Sequence, residues 1–191
     1  HVTTPPSVSY VTRQDRFDCG IMITASHNPY YDNGIKIVSS YGEKLDDGTA
    51  SLIEAYLDGD LERLGLHTAD LPLASRDRIG CIVDYVAGRN RYVGYLISLA
   101  SHSYKDMRIG LDCANGAAWM IAKSVFDALG ARTTVIGASP NGLKVNEGCG
   151  STHIETLQEL VRSGHLDVGF AFDGDADRCI AVDENGAVVD G

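Results

Sequence analysis

The sequence predicts an α/β protein made of two α/β domains with mixed, largely parallel sheets. Three observations carry that expectation. Short apolar runs with strand character alternate with segments whose apolar residues recur at helical spacing, the pattern of strand–helix–strand units. Glycine and asparagine punctuate most of the junctions between them. The 191 residues, 44% hydrophobic and 22% charged, suffice for one to two domains that each bury a core. The boundary is placed between residues 84 and 85.

In the first domain, residues 1–84, the apolar run 19–25 reads as a strand that Ser26-His27-Asn28-Pro29 ends. Asp32-Asn33-Gly34 is a turn, and residues 35–38 resume strand character. Residues 48–58 place Leu52, Ile53, Tyr56 and Leu57 on one helical face, with Gly59 as the stop. The stretch 60–78 is polar and irregular. A helix near 85–101 opens the second domain, residues 85–191, and bridges the two.

The second domain is punctuated more clearly. Residues 108–113 form a strand, Ala114-Asn115-Gly116 the turn after it, and Met120, Ile121, Val125, Phe126 and Leu129 the buried stripe of a helix that Gly130 ends. A strand at 132–136 and a loop at 137–151 follow. Thr152 and Glu155 have capping-box spacing ahead of a helix whose Ile154, Leu157, Leu160 and Val161 face the core. A strand at 167–172 leads into an acidic loop, and 179–183 pairs with 187–189 as a hairpin around Glu184-Asn185-Gly186. Ligands of such sheets gather at the carboxyl ends of the strands.

Charge excludes one class of partner. Sixteen basic and 26 acidic residues give a net charge of −10, with −4 on residues 1–95 and −6 on residues 96–191. An acidic chain without a basic tract repels nucleic-acid phosphates. The five cysteines include no CxxC pair, which speaks against a zinc ribbon or a thioredoxin-like site. Their odd number speaks against a disulfide framework. Cys19, Cys113 and Cys179 are expected as buried thiols, and Cys149, in a glycine-rich loop, as an exposed one. With no apolar run near 18 residues and no signal peptide, a cytoplasmic protein without membrane contact is expected. The chain opens at His1 without methionine and stops at Asp190-Gly191, so both ends read as cuts in a longer chain.

Two loops carry the chemistry. In Asp173-Gly174-Asp175-Ala176-Asp177-Arg178, three carboxylates at alternate positions can converge on one hard cation, with Gly174 and Ala176 keeping the loop slim. An EF-hand fails, because its sixth position needs glycine where Arg178 stands, and because the flanks are strands. A phosphatase of the haloacid dehalogenase type also places Asp-x-Asp after an apolar strand, but Asp177 stands where that pattern has Thr or a similar residue. The second loop is Thr24-Ala25-Ser26-His27-Asn28-Pro29, in which a hydroxyl leaves a strand end beside an imidazole and an amide. A hydrolase triad is disfavoured, since adjacent Ser and His do not readily form the nucleophile–base hydrogen bond and G-x-S-x-G is missing.

Together, Thr-Ala-Ser-His-Asn-Pro around Ser26, the following Asp-Asn-Gly-Ile-Lys and the later Asp-Gly-Asp-Ala-Asp-Arg resemble the α-D-phosphohexomutase superfamily. The resemblance covers essentially the whole chain, including Thr4-Pro5-Pro6 and the turn from Asp112 to Ala117. Within the superfamily, Asn141-Gly142, Asn146 and Cys149-Gly150-Ser151-Thr152-His153 resemble the phosphoglucosamine mutases more than the phosphomannomutase/phosphoglucomutase branch.

The resemblance implies a fragment of a four-domain enzyme, most of domain 1 and domain 2. It implies that Ser26 carries a phosphoryl group and that Asp173, Asp175 and Asp177 bind Mg²⁺ together with phosphorylated Ser26. The implied partner is a small phosphosugar. Phosphate would pass from Ser26 to glucosamine 6-phosphate, and the bisphosphate would reorient and return its other phosphate, releasing glucosamine 1-phosphate. Phosphorylation adds about −1.5 to −2 charges, which the cation, Arg178, Lys36 and His27 offset, and His27 and Lys36 are candidates for orienting or handling protons. A phosphomannomutase/phosphoglucomutase, or a Mg²⁺-dependent phosphosugar-binding module without catalysis, are the alternatives. The fragment alone is expected to be nearly inactive.

Overall fold

A computed structural model of the chain describes residues 2–65 and 73–189. The polar stretch 60–78 is thus described at its ends only, with a single 3₁₀ turn at Arg76–Arg78. Residues 66–72, and with them His1, Asp190 and Gly191, lie outside the described residues.

A helix that the apolar pattern does not announce opens the structure. Helix α1 (Pro5–Gln14) starts with proline at its first position, and the Thr4 hydroxyl caps it by accepting the Ser7 N–H at 3.2 Å. It buries Ser7 and Thr12 rather than an apolar stripe, so periodicity gave no signal. It lies on an antiparallel pair, β1 (Cys19–Thr24) and β2 (Gly34–Ser39), registered Met22 opposite Lys36 and Thr24 opposite Gly34. Gly20 permits that packing, because a Cβ there would stand 2.6 Å from the Thr12 hydroxyl.

Helix α2 (Asp47–Leu57) buries Ala55, while Leu52, Ile53 and Leu57 of the expected apolar face are exposed. Helix α3 (Val86–Ser98) packs on both α1 and α4 (Ala118–Ala128). Tyr10 of α1 stacks on Tyr95 with ring centroids 4.7 Å apart, and Asp15 pairs with Arg91.

The second sheet has the order β4-β3-β5-β6-β7, formed by β3 (Arg108–Asp112), β4 (Arg132–Ile136), β5 (Val168–Phe172), β6 (Cys179–Asp183) and β7 (Val188–Val189). β3 pairs in parallel with β4 and β5, while β6 and β7 add antiparallel pairings, as the hairpin at 179–189 predicts. The sheet is therefore mixed, its parallel part confined to three strands. Period-2 alternation divides its faces. Ile109, Leu111 and Cys113 pack with Ala118, Ala122 and Phe126 on the α4 side. Ala171 and Val182 pack with Leu157 and Val161 of α5 (Glu155–Gly164) on the other. Gly110 and Gly169 lie beneath Leu157, with no room for a Cβ at Gly169, 2.7 Å from Val161.

Three local expectations are corrected. Thr152 does not cap α5: the N-cap is Ile154 without a side-chain bond, because Ser151 N–H is drawn to the Phe172 carbonyl and His153 N–H to Gly150. Met120, placed in the buried stripe of α4, is 37% exposed. Cys19 and Cys179 are exposed, at the outer ends of strands, whereas Cys149 is buried against the 114–117 turn, its thiol 3.5 Å from Asn115 Nδ2. Among the described residues no helix is long and apolar enough to cross a membrane.

Candidate active site

The strand order itself points to a crevice. β3 leads through α4 to β4 on one side of it, and β5 leads through the acidic loop to β6 on the other side, so the connections leave the carboxyl ends of the neighbours β3 and β5 in opposite directions. Such switch points are where open α/β sheets bind ligands. The turn 113–117 follows β3 and the acidic loop 173–178 follows β5. The two are locked together: Ala117 N–H donates to the Gly174 carbonyl at 2.8 Å, and a Cβ on Gly116 would collide with that carbonyl. Asp112, fully buried, accepts Ala114 N–H at 3.0 Å and Gly150 N–H at 2.8 Å. That carboxylate holds the turn and the 149–151 segment in one arrangement.

The serine loop arrives at the same place from the other sheet. Ser26 follows β1 with φ +53°, a left-handed conformation uncommon for a residue with a side chain and typical of functional positions. Four side chains tie the first sheet and its serine loop to the loops of the second sheet. The Thr24 hydroxyl accepts the Ser26 N–H at 2.9 Å and donates to Asp175 Oδ1. The Lys36 ammonium sits 2.6 Å from Asp175 Oδ2 and 3.9 Å from Asp177 Oδ2. Arg178 Nη2 stands 2.8 Å from His27 Nδ1. Asn146 donates to the carbonyls of Ser26 (2.8 Å) and Asn28 (3.1 Å) and accepts Gly174 N–H at 2.9 Å.

All the residues singled out in the sequence thus come together: Ser26, His27, Lys36, Asp173, Asp175, Asp177 and Arg178. Their arrangement differs from the expected convergence of three carboxylates. Asp175 is turned to Thr24 and Lys36, and among the described residues no group of three or more ligand side chains stands in metal-holding geometry. Asp173 is fully buried, and its Oδ1 accepts Arg178 N–H at 3.3 Å while Oδ2 has no partner. Burial, reinforced by the neighbouring Asp177 charge, pushes its carboxyl above the usual range. A buried carboxylate oxygen without a donor is what a hard cation satisfies, so the donor set fits a divalent ion. Because the guanidinium donates to Nδ1 of His27, the ring proton belongs on Nε2 and that face is a donor.

The description "Phosphoglucomutase/phosphomannomutase, alpha/beta/alpha domain I" matches residues 1–63, and the corresponding domain II matches residues 90–186, more than half of the chain. The chain belongs to the phosphoglucomutase/phosphomannomutase family. A phosphoglucosamine mutase of Lachnospira eligens is 62% identical over 191 residues, which cover this whole chain and 41% of that relative. A phosphoglucomutase/phosphomannomutase family protein from Burkholderia thailandensis shares the fold with a TM-score of 0.69 and 24% identity, over 98% of this chain and 40% of that one. The N-acetylphosphoglucosamine mutase of Aspergillus fumigatus, solved in complex with GlcNAc-6P and magnesium, shares the fold with a TM-score of 0.51 and 19% identity, over 97% of this chain and 49% of that one. In this member of the phosphoglucomutase/phosphomannomutase family the serine loop belongs to the part matched by domain I, and the acidic loop to the part matched by domain II.

Sequence reasoning assigns no role at this site to three residues of its motifs, Thr24, Asp112 and Asn146. Thr24 and Asp112 lie at the carboxyl ends of β1 and β3, where a polar side chain ending an apolar strand is the available signal. Asn146 stands out in the sequence only through the resemblance to the phosphoglucosamine mutases, with no role at the site.

Proposed function

We propose that the longer protein of which these residues form part is a phosphoglucosamine mutase, in which Ser26 carries the phosphoryl group and the acidic loop holds Mg²⁺. The observation that supports this reading best is the left-handed Ser26, tied through Thr24 and Asn146 to the loop of Asp173, Asp175 and Asp177.

The roles follow from the chemistry of these groups. Phosphoryl transfer depends on positioning and neutralisation of charge. Three carboxylates against Lys36 and Arg178 leave the cluster at −1 before any phosphate arrives. Asp173, Asp175 and Asp177, with the phosphate on Ser26, would hold Mg²⁺, which would supply the missing positive charge. Arg178 fixes the His27 ring with Nε2–H available to a phosphate oxygen, and Lys36 bridges the carboxylates of Asp175 and Asp177. In the forward direction the Ser26 Oγ–P bond breaks as a bond forms between phosphorus and the 1-hydroxyl oxygen of glucosamine 6-phosphate. The hydroxyl proton leaves that oxygen, and Ser26 Oγ takes one up to become a free hydroxyl. The bisphosphate then turns over and its 6-phosphate returns to Ser26, releasing glucosamine 1-phosphate. The phosphosugar is thus the small-molecule partner, and a cytoplasmic location suits that substrate. The 62% identity to a phosphoglucosamine mutase supports the hexosamine over hexoses.

Intact-mass and phosphopeptide analysis of the full-length enzyme tests the reading. One phosphate on Ser26, lost together with turnover in Ser26→Ala, is expected. Full activity of Ser26→Ala refutes it, and faster turnover of hexose than hexosamine phosphates reassigns the substrate.

A further inference from the structure

We infer that Asn146 is a positioning residue for Ser26: its side-chain amide fixes the peptide that follows the serine to the backbone of the acidic loop. The inference rests on the reading of Ser26 as phosphoryl carrier. Asn146 is 8% exposed, and its side-chain amide uses three of its four hydrogen-bonding positions. Its two amide hydrogens go to the carbonyls of Ser26 (2.8 Å) and Asn28 (3.1 Å), and its amide oxygen takes Gly174 N–H (2.9 Å). Its own backbone N–H donates to the Ala114 carbonyl at 2.9 Å. Carbonyls on one side and an N–H on the other leave only one orientation of the amide.

The consequence lies in what each bond constrains. The Ser26 carbonyl belongs to the peptide plane that sets ψ of Ser26, and that residue already sits at φ +53°. Gly174 separates Asp173 from Asp175, so the amide oxygen fixes the loop between two of the three carboxylates. Asn146 itself has φ +59°, a region asparagine enters more readily than most residues. Aspartate at this position keeps the acceptor for Gly174 but presents an oxygen to two carbonyls. Glycine keeps the backbone and removes both ties. A misplacement of about 1 Å at a reacting centre costs on the order of 100-fold in rate.

The test uses the full-length protein with Mg²⁺ as wild type, Asn146→Asp and Asn146→Gly. It measures the rate of Ser26 phosphorylation by glucose 1,6-bisphosphate, kcat and KM, and the thermal midpoint of each. Both variants are expected to take up phosphate about 100-fold more slowly, with kcat lowered in parallel and KM for the phosphosugar within about twofold. Uptake at the wild-type rate in either variant overturns the inference. So does a loss that appears only as the variants unfold, or one that enters KM as strongly as kcat, since those assign Asn146 to the fold or to binding. Failure of the wild type to take up phosphate instead overturns the reading of Ser26.

Discussion

Gly174→Ala tests whether the closeness of the two loops, rather than flexibility of the acidic one, is what requires glycine at that position. Gly174 has no left-handed φ, so alanine meets no backbone penalty there. Its Cβ, however, would stand 2.8 Å from the Val145 methyl and 3.1 Å from Asn146 Nδ2, and closer still to the Ser26 carbonyl oxygen. Carbon atoms rest at about 3.5–4.0 Å, so the valine must retreat by about 0.7 Å or more. The serine carbonyl, being nearer, must move by about 1 Å, and it is backbone that cannot swing aside alone. Overpacking of this kind costs about 1–3 kcal/mol of stability, and the same shift at the nucleophile costs about 100-fold in rate. Steady-state turnover of the full-length enzyme and urea unfolding read the two effects. Wild-type kcat in Gly174→Ala would refute the reasoning, because it would mean that Ser26 and the acidic loop do not depend on their separation.

Two further outcomes follow from burial. Asp173 has a raised pKa in the folded protein, so in the absence of metal its charge opposes folding above that pKa, and the opposition is relieved as pH falls through it. Asp173→Asn is therefore expected to stabilise the metal-free protein near neutral pH and to lose the additional stabilisation that Mg²⁺ gives the wild type. A metal-dependent rise in midpoint as large as the wild type's would contradict the assignment of Asp173 as a ligand. Burial also pushes the thiols of Cys113 up to about 12 and of Cys149 up to about 11, so native protein at pH 8 should leave both unalkylated by iodoacetamide while exposed Cys81 reacts. Modification of Cys149 as fast as Cys81, read by peptide mass, would show that the 149–151 segment opens.

What the sequence made legible depended on whether the determining interactions were local. Strands β3, β5 and β6 carry apolar runs buried on at least one face, and their reading survives. Helix α1 was illegible because small polar residues, Ser7 and Thr12, are what it buries; its signal was the Thr4-Pro5 start alone. The capping box at Thr152 had the right spacing and the wrong neighbours, since the Phe172 carbonyl claimed Ser151 N–H first. Cys19 and Cys179 look buried in a window of apolar residues, but each opens a strand, where one side of the residue meets solvent.

The candidate site shows the same division on a finer scale. Alternating carboxylates and a serine at a strand end announce their chemistry through residue type, so they were found. Their mutual placement is set by ties spanning 118 to 151 residues of sequence: Thr24 to Asp175, Lys36 to Asp175, His27 to Arg178, Asn146 to Asn28. Thr24 and Asn146 have no chemical signature of their own, because a hydroxyl or a carboxamide is as common in a turn as in a site. The acidic loop also acquires a second meaning from these ties. Asp175 anchors the first sheet through Thr24 of β1 and Lys36 of β2, whereas Asp173 keeps an oxygen without a donor. The three carboxylates are therefore not equivalent: one already holds the two sheets together, and the most deeply buried one retains an oxygen for a cation. A chain of net charge −10 can host anionic chemistry here because two cationic side chains stand at the acidic loop, Lys36 paired with Asp175 and Arg178 against the His27 ring.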